Sequence, residues 1–317
     1  MKILWLTHRA ETPSTRYRVA AFVPRFKSAG HDVEVVEYTS SLLKIYPLMK
    51  SVASADVVVI QKRLPPPWIT RAIRRRAKRL IFDFDDAIYL KKGDQGTSRT
   101  GARQKRFKTM MQSADVVICG NSHLATIAKE EGGRQLEVVP TVLDPGKYLA
   151  APRQAHDEVV LGWIGAGGNM KYLEELLPHL PKTRIRCVCN VFPAGVEKIE
   201  WSEAGEAAAL AGMDIGLAPM PDNEWTRGKC GTRILQYFAA ALPVIADGVG
   251  VHRDLVEDGK SGYLVHSRKE WTARVTELVA DPVKRAQFGK RGQGSMVAQY
   301  SLDAVAPQLI QLITKPS

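Results

Sequence analysis

Two segments place glycines and cations where a strand gives way to a helix, a pattern suited to holding an anion. The first is Ile164-Gly165-Ala166-Gly167-Gly168-Asn169-Met170-Lys171. Glycines there let backbone N–H groups approach a phosphate, the helix start adds a favourable dipole, and Lys171 supplies a counter-charge. A tight strand-to-helix turn also needs glycine, so the residues alone leave both readings open. The second segment, Arg227-Gly228-Lys229-Cys230-Gly231-Thr232-Arg233, sets two glycines and three cations around another helix start. Gln236 lies one turn in, where its amide can face a ligand lying over that terminus. A third group, Asp83-Phe84-Asp85-Asp86, ends a strand. Its carboxylates either orient a hydroxyl or cap the next segment. Arg16 and Arg18 follow the first strand and read either as a solvated loop or as an anion contact. Of the four cysteines, only Cys187 and Cys189 are close, and no second pair completes a zinc site.

The elements that must position these residues alternate throughout. Strands are expected at 1–7, 32–38, 57–61, 80–84, 116–120 and 136–139. Helices are expected at 19–29, 42–52, 68–78 and 122–131, the last capped by Asn121 or Ser122. Residues 145–157 are polar and read as a linker, and the pattern then resets. Strands at 159–164, 184–189, 215–218, 244–246 and 262–265 alternate with helices at 170–180, 203–211 and 232–241. Helices at 269–279, 282–300 and 302–313 close the chain. Strands alternating with helices predict parallel sheets covered on both faces, hence an α/β protein of two Rossmann-like domains. The N-terminal domain is expected over 1–150 and the C-terminal one over 157–300, with a final helix over 301–317.

The 317-residue chain is 45% hydrophobic and 25% charged, which excludes a disordered chain and a disulfide-stapled scaffold. Its formal charge of +12 calls for an anionic partner. Nearly all of that excess lies between Gln61 and Lys108, where fifteen basic residues face four acidic ones. A solvated helix face with a loop is one reading of the 62–108 region. Docking on anionic lipid is another. Nucleic acid is not expected, because aromatics for stacking are sparse and no nucleic-acid motif occurs. No signal peptide or membrane span is apparent, and the cysteines read as reduced thiols, so a cytoplasmic protein is expected.

The stretch from Asp214 to Val265, with DIGLAPMPD, GKCGTRILQYFAAALPVIA and GVGVHRDLVEDGKSGYLV, resembles the donor-binding half of retaining, GT-B-fold glycosyltransferases of family four. STRYRV, ADVVVIQKR, LIFDFDDAIY, ADVVICGNSHLA and VVPTVLD extend the resemblance through the N-terminal half. It implies two domains facing across a cleft and a final helix that packs back on the first. It also implies transfer of a sugar from a nucleoside-diphosphate sugar to a glycan or lipid-linked acceptor in bacterial cell-surface polysaccharide synthesis. Neither a cofactor nor a metal is implied, and the enzyme is expected at the inner face of the plasma membrane.

By this resemblance Lys171, Lys229 and Arg227 grip the diphosphate. Gly165, Gly167, Gly168, Asn169, Gly231 and Gly250 shape the donor site, and Gln236, at the position of a ribose-binding glutamate, holds the ribose. Asp85 stands where relatives have a histidine beside the reacting sugar, and Arg16 and Arg18 lie on the phosphate or acceptor side. Two family positions differ: Ala166 replaces an arginine, and Gly228 replaces the acid that touches the donor sugar. The alternatives are a nucleoside-diphosphate-sugar epimerase and an inactive sugar-nucleotide-binding protein.

Overall fold

The structure, a computed structural model, describes residues 1–39, 42–90, 101–153 and 157–315, with the backbone alone at 42–44. The chain divides into two compact units. Unit 1 comprises Met1–Val142, Asn223–Cys230 and the chain from Val305 onward. Unit 2 comprises Leu143–Asp222 and Gly231–Ala304.

The sheet of unit 1 contains β1 (Lys2–Thr7), β2 (Asp32–Glu37), β3 (Val57–Gln61), β4 (Leu80–Phe84), β5 (Val116–Cys119) and β6 (Gln135–Val138). All pairings are parallel, in the order β2-β1-β3-β4-β5-β6. β3, β4 and β5 are buried along their whole length, as apolar runs in a doubly covered sheet must be. One face of this core stacks Phe82 on Phe84 and sets Phe107 edge-on to Phe84.

The second sheet contains β7 (Val160–Ile164), β8 (Arg184–Cys189), β9 (Glu197–Glu200), β10 (Ile215–Ala218), β11 (Val244–Asp247) and β12 (Gly262–Val265). Its order is β12-β11-β10-β7-β8-β9, again parallel. This is the strand order of a dinucleotide-binding fold, and the expectation of an α/β protein with two Rossmann-like units is met. The four cysteines are free and buried.

The sequence reading missed some elements. Gly101–Ser113 is a helix anchored by buried Phe107, Met110 and Met111, whose i, i+3, i+4 spacing was masked by surrounding charge. The supposed linker contains the helix Gly146–Leu149, pinned by buried Tyr148. The helix expected over 170–180 stops at Glu174, and a 3-10 turn at Leu177–His179 follows, because Pro178 cannot continue an α-helical hydrogen-bond ladder. β9 was not foreseen. Of the basic region, Lys91, Lys92 and Arg99 lie outside the described residues.

The final helix, Leu302–Thr314, ends on Arg79. That buried guanidinium donates to the carbonyls of Leu312 at 3.0 Å and Ile313 at 2.9 Å, and to that of Lys315. A cation at a helix C-terminus satisfies its last carbonyls and complements its dipole, typically contributing about 1 kcal/mol or more when partly buried.

Candidate functional site

In open α/β sheets, ligands gather at the C-terminal ends of strands where the strand order reverses. In unit 1 that point lies between β1 and β3, and a cluster of paired polar side chains gathers at these strand ends. After β1, Pro13 begins a short helix, Pro13–Thr15, which runs into a π-helical turn at Arg16–Ala20. This presents Ser14 and Arg18 to the end of β4. Lys62, the residue after β3, has a φ of 54°, a left-handed conformation seldom taken by residues with a side chain. Its N–H bonds the carbonyl of Asp83 at 2.8 Å, which fixes that turn.

The Lys62 ammonium has three protons and three acceptors: Ser14 Oγ at 2.8 Å, Asp85 Oδ1 at 3.1 Å and Asp86 Oδ2 at 3.2 Å. Having accepted from Lys62, the Ser14 hydroxyl donates its single proton to Asp85, at 2.8 Å to Oδ2 and 3.0 Å to Oδ1. Asp86 Oδ1 takes a second ammonium, Lys229 Nζ, at 2.9 Å. Lys229 also lies 4.5 Å over the Trp225 ring. Burial opposes the charge of Lys62, yet Asp85 and Asp86 together outweigh it and hold the ammonium well above its ordinary range. Burial likewise works against the Asp85 carboxylate, but Lys62, Arg18 and the Ser14 hydroxyl bring it below the ordinary aspartate value. Asp85 is therefore an ionised hydrogen-bond acceptor at neutral pH.

Arg18 has a different place from the one expected. Rather than facing a ligand, it is buried in a forked pair with Asp83, Nε donating to Oδ2 at 2.9 Å and Nη2 to Oδ1, while Nη1 donates to the Val139 carbonyl at 3.0 Å. Burial opposes the guanidinium charge, and Asp83, then Asp85, overcome it and raise its value. Arg16 is half-buried against the Tyr17 ring, 5.0 Å from its centroid.

Residues 223–230 were expected in the C-terminal domain, but they cluster with unit 1. Asn223 caps the short helix Glu224–Arg227. Asn121, one of the two caps foreseen and the one that caps the helix Ser122–Glu130, spends its side-chain N–H groups on the carbonyls of Arg227 at 3.2 Å and Lys229 at 2.8 Å. Cys230 Sγ donates to the Asp85 carbonyl at 3.2 Å. Gly228 passes so close to Ala87 that an added Cβ would lie 2.8 Å from the Ala87 Cβ. The acid seen at this position in the resembling family has no room here. Among the three cations assigned to the diphosphate, Lys229 and Arg227 thus belong to unit 1, and only Lys171 shares a unit with the glycine turn.

In unit 2 the strand order reverses between β7 and β10. The glycine turn leaves β7 there, as a 3-10 turn at Gly167–Asn169 followed by the short helix Met170–Glu174 that carries Lys171. Ala166, Gly167 and Gly168 are exposed, and nothing lies within 4 Å of a Cβ built on Gly168. Arg233 closes the inner side of the turn. Its Nε donates to the Ile164 carbonyl at 2.6 Å, and its guanidinium lies 4.5 Å over the Trp163 ring. A Cβ on Gly165 would fall 2.5 Å from Arg233 Nη2, which explains glycine there. Gly231, with φ of 66°, begins the helix Thr232–Ala239 in a left-handed conformation beside Leu255, and Gly250 has φ of 51°. Gln236 is buried on that helix and hydrogen-bonded to Glu206. Sequence reasoning missed Ser14, Lys62 and Glu206. The one hint of the first cluster was that Lys62 directly follows one strand and the aspartates close the next.

Comparison with known proteins places this geometry. A family described as glycosyl transferase-like has its model matching residues 170–311. An alpha-maltose-1-phosphate synthase of Mycolicibacterium smegmatis is 32% identical over 91 residues, 26% of this chain. The match spans 24% of that relative, and a match to a second curated relative spans 22% of its length. A glycosyltransferase of Rickettsia africae superposes with a TM-score of 0.77 at 11% identity, covering 100% of this chain and 99% of that one. Anabaena Alr3699/HepE, solved in complex with UDP and glucose, superposes with a TM-score of 0.74 at 14% identity, with 100% of both chains covered. The fold is GT-B, and the chain resembles glycosyltransferases of that fold.

Replacing Lys62 by methionine removes the common partner of Asp85 and Asp86. The carboxyl titration of Asp85, followed by carbon NMR, is expected to move up from its depressed position. Stability at neutral pH is expected to fall by about 2 kcal/mol in denaturant unfolding. A depressed carboxylate contributes stability above its unfolded value and loses it as pH falls through the folded one. The difference between the two proteins therefore narrows in acid. An unmoved Asp85 titration contradicts the assignment.

Proposed function

We propose that this chain is a hexosyl-type glycosyltransferase that moves a sugar from a nucleoside-diphosphate sugar to a glycan or lipid-linked acceptor, with retention, in bacterial cell-surface polysaccharide synthesis. The observation that carries this reading is the open glycine turn at the strand-order reversal of unit 2, in a chain whose whole length shares the fold of a protein solved with UDP and glucose. The match of a glycosyl transferase-like family over residues 170–311 supports it.

In this reading the exposed amides of 166–168 and Lys171 receive the diphosphate, and side-chain cations and backbone dipoles, without a required metal, stabilise the charge that develops on it. Gln236 hydrogen-bonds the ribose. The bond from the anomeric carbon to the diphosphate oxygen breaks and its electron pair leaves with the diphosphate, a bond to the acceptor oxygen forms, and the acceptor hydroxyl passes its proton to the departing diphosphate. Asp85 accepts a hydrogen bond from a hydroxyl of the sugar or acceptor, and Ser14 and Lys62 hold it ionised for that task. Lys229 keeps Asp86 neutralised, so that Lys62 stays shared with Asp85.

The basic face of unit 1 supports a place for the enzyme in the cytoplasm, at the inner surface of the plasma membrane. The helices Pro67–Arg76 and Gly101–Ser113 pack side by side and expose Arg71, Arg75, Arg76, Arg103, Lys105 and Arg106, with Trp68 55% exposed. Each basic residue near an anionic bilayer adds about 1 kcal/mol. Among the described residues, no helix is long and apolar enough to cross a membrane. Sedimentation with phosphatidylglycerol vesicles, abolished at high salt, is the expected result. Binding indifferent to lipid charge contradicts this placement.

Lys229→Ala is expected to lower transfer at least a hundredfold in a product assay by mass spectrometry, with the melting profile retained. Undiminished turnover removes Lys229 from the site. Sugar release or isomerisation that needs no acceptor favours an epimerase over a transferase.

A further inference from the structure

Glu206 opens the helix Glu206–Ala211 and is 1% exposed. Its carboxylate is surrounded by donors drawn from three other segments of unit 2. Tyr148 donates its hydroxyl to Oε1 at 2.6 Å, and Lys147 reaches the same oxygen at 3.3 Å. Trp201 Nε1 donates to Oε2 at 2.9 Å. The side chain of Gln236 is hydrogen-bonded to the same carboxylate. Burial by itself pushes Glu206 up. The bonds from Tyr148 and Trp201, the Lys147 charge and the Gln236 bond together pull it below the ordinary glutamate value.

An ionised carboxylate only accepts. Gln236 therefore meets Glu206 with its NH2 group and turns its amide oxygen away, an orientation set by chemistry and not by the near-identical shapes of the two ends. We infer that Glu206 is a positioning residue that fixes the Gln236 amide so that its oxygen, rather than its nitrogen, is the atom a nucleoside ribose meets. This rests on the reading of Gln236 as the ribose-holding residue. The 2′ and 3′ hydroxyls of a ribose can both donate, and an amide oxygen, with two lone pairs, can accept from both. The buried carboxylate at 206 thus lets a neutral amide present the acceptor face that a carboxylate at 236 would otherwise provide. It also explains why a second carboxylate is absent at 236: it would lie against Glu206 in a buried site, where like charges repel.

Calorimetric binding of the nucleoside diphosphates and their 2′,3′-dideoxy counterparts to the full chain tests this. For the diphosphate that binds, the unaltered protein is expected to prefer the ribose form about tenfold, the equivalent of one to two hydrogen bonds. Glu206→Gln lets Gln236 turn either way, and the preference is expected to fall to about twofold. The double variant Glu206→Gln, Gln236→Glu restores a donor at 206 and an acceptor at 236, and is expected to recover most of the preference. A residue with a merely structural role would change melting without changing this ratio. A tenfold preference persisting in Glu206→Gln overturns the inference, as does a double variant with no preference, which carries the test alone if the single variant does not fold. Failure of the underlying reading is distinguishable, because it shows in the unaltered protein as no binding or no ribose preference.

Discussion

Three carboxylates crowd the C-terminal end of β4, and the arrangement of unit 1 follows from the need to neutralise them. Asp83, Asp85 and Asp86 come from four successive residues at the edge of a fully buried strand. Removing a carboxylate from water costs several kcal/mol unless a cation and hydrogen bonds replace the solvent. The chain supplies one cation from each of three separate segments. Arg18 comes from the π-helical turn after β1, Lys62 from a left-handed turn after β3, and Lys229 from a stretch nearly 150 residues downstream. Two of these segments are fixed in turn: the Lys62 N–H bonds the Asp83 carbonyl, and the side-chain amide of Asn121 bonds the carbonyls of Arg227 and Lys229. The pairs are weak evidence for net stability, since a well-packed apolar cluster would serve as well. They are strong evidence for an ionised, oriented acceptor at Asp85.

Unit 2 solves a similar problem with opposite emphasis. Its strand-order reversal carries an open turn whose glycines keep side chains out of the way. The charged groups nearby are held back from it by other tasks: Arg233 closes the inner wall of the turn, and Glu206 binds the underside of Gln236. A site that must accept a flexible, multiply charged ligand benefits from groups locked before the ligand arrives, because less ordering remains to be paid on binding. The same logic joins the two units: ionised or polar atoms are oriented by buried partners rather than by the ligand.

Much of this fold was legible in the sequence, because apolar strand runs and helical spacing are local. The alternation in both halves, the cap at Asn121 and the glycine turn after β7 all follow from residues within a few positions of one another. The helix Gly101–Ser113 escaped because its short Phe107–Met110–Met111 stripe follows a run of exposed basic residues, Arg103, Lys105 and Arg106. The aspartates of β4 stood out as a group, but which of the chain's many cations meet them is a matter of tertiary register, and a positive φ at Lys62 has no sequence signature outside glycine, asparagine and aspartate. Lys229 was read as part of the diphosphate grip because the helix that follows it, from Gly231 on, belongs to unit 2, whereas Lys229 itself lies in unit 1 and its partner, Asp86, is far away along the chain. Gly228 became intelligible only once Ala87 was seen against it.

The central claim is that unit 2 holds a nucleoside diphosphate. The most direct measurement is the thermal stability of the full chain against a panel of nucleoside diphosphates and their sugars. A ligand at about 100 times its dissociation constant adds about 2.7 kcal/mol, which is visible as a rise in Tm. The account predicts a selective rise with one base, shared by the diphosphate and its sugar. A folded protein whose melting none of them shifts contradicts it.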